Sequence, residues 1–190
     1  MKLKIRRGSK NVVCPKCKTD LELEVGRFNS GAKGSSFEAW LAAEISLAMY
    51  GESDYLSRTP TSGAMASFWV FDLFPKRIGT DQFKYGIEAK FRNGWNIEDI
   101  LFMKTSKPSR GKRKADTFIL DWWHTTVDDC KKANKIPVLA FKKNREKALV
   151  VIKDADFKGV SGGMSFKDGK DQECRLIDFE AFKKLLGDNK

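Results

Sequence analysis

Two carboxylates and one amine stand out as a set that could do chemistry together: Asp72, Glu88 and Lys90. Hydrolysing a phosphodiester at neutral pH needs an activated water and neutralisation of the charge that builds on the phosphate. A divalent ion held in an open carboxylate site supplies both. Magnesium takes oxygen ligands and keeps several waters, so two or three carboxylates suffice. A nearby lysine can then stabilise the transition state. Asp72 interrupts the apolar run Phe68–Phe74, where a carboxylate is costly unless it has a partner or a metal. Glu88 and Lys90 are two residues apart in a strand-like segment, so both side chains leave the same face. The plainer reading is a Glu88–Lys90 ion pair on a solvated sheet face, with Asp72 at a strand end.

The elements that must position this set can be read from hydrophobic spacing. Ser35 or Ser36 can cap a helix that carries Phe37, Trp40, Leu41 and Ile45 to about Tyr50, where Gly51 stops it. A short strand is expected at Tyr55–Thr59, a buried-type strand at Phe68–Phe74 and an alternating one at Phe83–Phe91. A second helix spans Thr117 to Asn134. Ile136–Phe141 and Ala148–Ile152 read as a hairpin, Asp156–Lys170 as a Gly- and Lys-rich loop, and Asp178 caps a last helix. The result is an α/β layer arrangement with a central mixed sheet. No Gly-rich phosphate loop is present, which excludes P-loop and dinucleotide folds. Three segments follow: a 1–34 appendage with a hairpin around Cys14 and Cys17, a 35–153 core, and a 154–190 extension with a helix.

Asp72, fifteen residues, then Glu88-Ala-Lys90 resembles the PD-(D/E)xK nuclease superfamily. Lys33-Gly-Ser-Ser-Phe-Glu38 and Arg58-Thr-Pro-Thr-Ser62-Gly63 resemble one branch of it, the archaeal-type Holliday junction resolvases, as does Ile136–Lys142 downstream. The resemblance runs from Lys33 to Ile152, about two-thirds of the chain. It implies a restriction-endonuclease-like core of helix, three-stranded meander, helix and two strands, with a small N-terminal hairpin appendage. Asp72 and Glu88 would be the main metal ligands, with the backbone carbonyl of Ala89 as a third. Lys90 would be the catalytic cation, and Glu38 would complete the acidic cluster directly or through water. Ser62 would approach the scissile phosphate, although it reads equally as turn chemistry. Lys33 and Arg58 would contact DNA. The implied cofactor is Mg2+, with Mn2+ able to substitute. The implied substrate is branched DNA such as a four-way junction, cut by a homodimer because two symmetric cuts need two sites. A restriction-, repair- or homing-type enzyme acting on duplex DNA, and a non-catalytic DNA-binding module, are the alternatives. The chain departs from the pattern at Val70-Phe71, where a Pro often precedes the acid; the first 32 and last 38 residues have no counterpart.

Lys plus Arg number 36 against 25 Asp plus Glu, a net charge of +11, which favours a polyanionic partner. Lys107, Arg110, Lys112, Arg113 and Lys114 crowd the segment Lys104–Lys114; such a run adds salt-sensitive affinity for phosphates. The five Trp and fourteen Phe read as core packing. Cys14-Pro-Lys-Cys17 is half of a zinc site, but no second pair follows at ribbon spacing, so structural zinc is possible but not the favoured reading. His124 reads as a surface or core residue of the second helix and not as a ligand or base. The apolar stretches are too short to span a bilayer and no secretory signal opens the chain. An intracellular protein fits these features, and its compact, basic chain with odd terminal additions would suit a virus- or plasmid-borne gene.

Overall fold

The computed structural model describes residues 11–13, 20–22, 30–59, 71–76, 83–105 and 118–188. The chain divides into two units, Met1–Ser30 and Gly31–Lys190. In the first, β1 (Asn11–Val13) pairs antiparallel with β2 (Asp20–Glu22), with Val12 opposite Leu21. Cys14 and Cys17 lie outside the described residues.

Helix α1 (Ser30–Tyr50) begins earlier than its sequence suggests. Ser36 does not cap it: its hydroxyl donates back to the carbonyl of Ala32 at 2.8 Å, inside the helix. Phe37, Leu41, Ala42 and Ile45 form the buried stripe. Gly51, at φ 77°, ends the helix by donating to the carbonyl of Leu47, a left-handed position that suits glycine.

Two short strands, β3 (Leu56–Arg58) and β4 (Leu73–Pro75), pair antiparallel as a ladder of their own. Strand β5 (Tyr85–Phe91) begins a separate five-stranded sheet with β6 (Ile136–Lys142), β7 (Leu149–Lys153), β8 (Met164–Lys167) and β9 (Glu173–Asp178), in the order β5-β6-β7-β9-β8. The expected three-stranded meander is therefore divided: β3 and β4 stand apart from β5, and one backbone bond from Asp72 N–H to the Ile87 carbonyl (3.1 Å) ties the two sheets. The pairing of β5 with β6 is parallel and the remaining pairs are antiparallel. Between β5 and β6 lie a short α2 (Glu98–Leu101) and α3 (Ile119–Ala133), the latter closed by Asn134 in the left-handed region.

The sheet does not stop near residue 153. Residues 156–170, expected as a loop, contain β8, because Met164 and Phe166 alternate with polar neighbours. Gly163 at φ 79° lets the chain pass the Leu176 backbone, where a Cβ would lie 2.4 Å from the carbonyl oxygen. Residues 173–178 then insert between β7 and β8, with Val151 opposite Leu176. A closing helix α4 (Phe179–Asp188) is capped by Asp178, whose carboxylate accepts the Ala181 N–H at 2.8 Å.

Each face of the sheet carries a core. On one side Phe37, Leu41 and Ile45 of α1 and Phe182 and Leu186 of α4 pack on Ile87, Val138 and Val150. On the other, Ile119, Trp122 and Trp123 of α3 pack on Leu139, Phe141 and Val151. Among the described residues no helix is long and apolar enough to cross a membrane. His124 Nε2 donates to the Asp168 carbonyl at 2.8 Å, a packing contact between α3 and the β8–β9 turn.

Gly86 fixes how closely these layers approach. A Cβ there would meet the Cys130 sulfur at 2.3 Å and the Phe71 ring at 2.5 Å. Overpacking of this kind costs about 1–3 kcal/mol. Gly86→Ala is expected to lose about that much stability in urea denaturation; an unchanged midpoint would show that α3 and Phe71 yield freely.

Candidate active site

The site lies on β5, the edge strand of the five-stranded sheet. Glu88 and Lys90 stand opposite Leu139 and Phe141 in the register with β6, so they share the face turned to α3. Ala89 turns the other way, into the core under α1. Because β5 is an edge, its backbone groups on the outer side are available to another segment. Asp72 takes them. Its N–H donates to the Ile87 carbonyl, and its Oδ2 accepts the Ala89 N–H at 2.7 Å. Thr59 clamps the same bend from behind, donating its N–H to the Asp72 carbonyl at 2.8 Å and its hydroxyl to the Phe71 carbonyl at 2.6 Å. Asp72 was expected inside a strand. It sits in a bend just before β4, since its amide, carbonyl and carboxylate are all engaged with different partners.

The Lys90 ammonium pairs with Glu88 Oε1. From α1, Glu38 faces Arg58 across 3.9 Å, and Arg58 Nη1 also donates to the Ser35 hydroxyl at 3.3 Å. Burial raises the carboxyl of Glu38 above its ordinary range, with Glu88 adding to the shift and Arg58 and Lys90 opposing it. Burial likewise raises Asp72, and the Glu38 charge adds to that effect; the Ala89 hydrogen bond and Lys90 work against it. Glu88 is pushed up to about 7 by burial and then by Asp72, with Lys90 resisting. For Lys90, burial favours the neutral amine, but the charges of Glu88 and Asp72 outweigh it and hold the proton on. Four groups from three elements thus feel one another: Glu38, Asp72, Glu88 and Lys90.

Such a cluster has the chemistry of a hard-cation site. Buried acids that raise one another's pKa lack positive charge, and a divalent ion supplies it. Among the described residues no three His, Cys, Asp or Glu side chains converge closely enough to hold a metal by themselves. The donors that fit are the carboxylates of Asp72 and Glu88 with backbone oxygen and water. That set suits magnesium or manganese better than zinc.

Of the other residues singled out in the sequence, Lys33 donates to Asn144 Oδ1 at 3.3 Å near the start of α1. Arg58 keeps 40% of its side chain exposed. Ser62, Lys107, Arg110, Lys112, Arg113 and Lys114 lie outside the described residues, as do Cys14 and Cys17. Cys130 and Cys174 are buried, with burial pushing both thiols up to about 12. Two contributors escaped the sequence reading. Asp129 of α3 adds to the field on Glu88, and Ser35 holds Arg58. Neither carries a local signal, because each meets the site only through packing between elements distant in sequence.

A mixed α/β sheet carrying two acids and a lysine at one edge is an arrangement on which metal-dependent hydrolysis can be built. The chain belongs to the family described as Phage putative PDDEXK endonuclease, which it matches over residues 29–185. It is therefore a nuclease of the PD-(D/E)xK superfamily, whose members generally use divalent metals. The archaeal-type junction resolvases that Lys33–Glu38 and Arg58–Gly63 resemble are not the family matched. No curated protein and no solved structure matches the chain.

The shift on Glu88 sets a sign for stability. A carboxyl whose folded pKa is raised penalises the folded state once it ionises. Metal-free protein is expected to lose stability as pH rises from the ordinary value of 4.5 through about 7, and Glu88→Gln to flatten that slope. Urea denaturation across this range in chelator checks it; an equal slope in the variant would show that Glu88 does not carry the strain.

Proposed function

We propose that this nuclease cuts branched DNA such as four-way junctions, with Asp72 and Glu88 and the Ala89 carbonyl holding Mg2+, which Mn2+ can replace. The observation that carries this reading is the grip of Ala89 N–H on Asp72, which sets that carboxylate beside Glu88 and Lys90. When bound, the ion activates water and offsets charge on the phosphate. Lys90, kept protonated by its acidic neighbours, donates to a phosphate oxygen as negative charge develops there. Glu38, bridged to Arg58 rather than aimed at a shared ion, orders water at the edge of the cluster. Arg58, exposed enough to turn outward, meets the DNA backbone together with Lys33. Ser62 and the basic residues Lys107, Arg110, Lys112, Arg113 and Lys114 add contacts to the substrate. Cys14 and Cys17 take no zinc in this reading.

Support for the junction substrate comes from the Lys33–Glu38 and Arg58–Gly63 segments. Of these, Glu38 and Arg58 stand face to face beside the acids. A homodimer is required to place two cuts symmetrically. Exposed Leu101, Phe102 and Met103 offer apolar surface for a second copy to cover. The phage association of the family supports a virus-encoded origin. Duplex cleavage by a restriction-, repair- or homing-type enzyme is the second reading; the same catalytic cluster would serve it.

Cleavage of a synthetic four-way junction and of its component duplexes, with magnesium and with chelator, tests the reading. The parent is expected to cut the junction in magnesium only. Asp72→Asn, Glu88→Gln and Lys90→Ala are expected to cut roughly 10²–10³-fold more slowly while still binding the junction. Variants that cut like the parent would remove the site assignment, and equal cutting of plain duplex would remove the junction.

A further inference from the structure

On the α1 side of the sheet lies a cleft of about 380 Å³, walled by Lys33, Phe37, Trp40, Phe91, Lys142 and Asn144. Its volume falls at the small end of the range for ligand pockets. Trp40 is 37% exposed although its aromatic neighbours are buried or half-buried. Phe37 stacks against it at 5.8 Å with 18° between planes, and Phe91 meets Phe37 edge-on at 5.9 Å. The Lys142 ammonium lies 5.4 Å from the Trp40 ring centre, and Lys33 reaches Asn144 across the opening. An aromatic platform ringed by two lysines and an amide joins the two halves of a nucleotide: a flat base and a phosphate.

We infer that this cleft receives an unpaired nucleotide of the DNA that the acid cluster engages. The inference rests on the nuclease reading of the neighbouring cluster and adds a substrate subsite to it. Both sites share their supports. Phe37 precedes Glu38 on α1, and Phe91 follows Lys90 on β5. Consecutive strand residues face opposite ways, so Phe91 and its β6 partner Lys142 lie on the α1 side of the sheet. DNA engaged by the acids reaches the cleft by passing round the β5 edge. Bases within a duplex hide their faces in the stack, and only an unpaired base can lay its face on an aromatic ring. Lys142 covers the ring while the cleft holds no base. Its ammonium can move to the incoming phosphate and leave the ring to the base, exchanging a cation–π contact for stacking plus an ion pair. A protein partner is the less favoured occupant, because two lysines rim the ring and the chain as a whole has a net charge of +11. The cleft thereby gives the enzyme a physical reason to prefer DNA with frayed or single-stranded segments, where unpaired nucleotides are available.

The test measures affinity of the full chain, in chelator and at fixed salt, for a short oligothymidylate and for a blunt hairpin duplex. Stacking on one aromatic side chain is worth enough to change affinity about tenfold or more. Trp40→Leu is expected to weaken oligothymidylate binding by about that factor while weakening duplex binding by less than roughly twofold, and Trp40→Phe to recover most of the loss. Lys142→Ala, away from the packed core, is expected to weaken oligothymidylate selectively as well, so the inference survives a Trp40→Leu chain that fails to fold. A parent that does not bind oligothymidylate, or variants that lower both affinities equally, would overturn it. A parent that shows the selective pattern yet cuts no DNA would sink the nuclease reading and leave the cleft in place.

Discussion

Negative charge packed against negative charge, partly out of water, is the constraint around which this molecule is arranged. Asp72, Glu88 and Glu38 each raise the pKa of a neighbour, and burial raises all three. Left alone, such a cluster would protonate or open. It is held by one N–H on Asp72, one ammonium on Glu88 and one guanidinium facing Glu38. These partners offset the repulsion only in part, leaving a deficit of positive charge that a cation could meet. The stability that tolerates it comes from the two apolar cores on either side of the sheet, where Leu41, Ile45, Ile87, Val138, Trp123 and Phe141 are fully enclosed.

Geometry at the sheet edge turns that constraint into a defined site. An interior strand has its N–H and C=O groups committed on both sides. An edge strand has one side to spare, and β5 gives that side to Asp72 at Ile87 and Ala89. A single residue is thus pinned at both its backbone and its side chain. Gly86 contributes from below. Without a side chain it admits both the Phe71 ring and the Cys130 sulfur, so the residue preceding Asp72 is seated on the strand that carries Glu88.

Local spacing made part of this legible. The two-residue interval between Glu88 and Lys90 sufficed to place them on one face, and the stripes of α1 and α4 followed from apolar residues at helical intervals. The bend at Asp72 did not follow, because Phe68–Phe74 carries a strand-like run of apolar residues and the forces that bend the chain come from Thr59 and Ile87, far away in sequence. Strand β8 was obscured by its Gly- and Lys-rich surroundings; its pairing depends on residues 173–176, which supply the other half of the ladder. Trp40 was read as packing because its spacing from Phe37 and Leu41 fits a buried stripe. It falls at the margin of that stripe, and exposure at a margin depends on what the opposite wall lacks.

The excess of basic residues becomes intelligible beside the acid cluster. A phosphodiester approaching Glu38, Asp72 and Glu88 meets repulsion, and at physiological ionic strength that repulsion extends about 8 Å. In the proposed reading, surface charge of the opposite sign brings the DNA in before the metal and Lys90 act at close range. Lys33, Arg58 and Lys142 occupy that intermediate ground, on or near the elements that carry the acids. Attraction from these groups to phosphate is indifferent to sequence, so it can position DNA without reading its bases. In the proposed reading, discrimination between paired and unpaired DNA then has to come from shape, and a cleft that takes the flat face of an unpaired base would provide it.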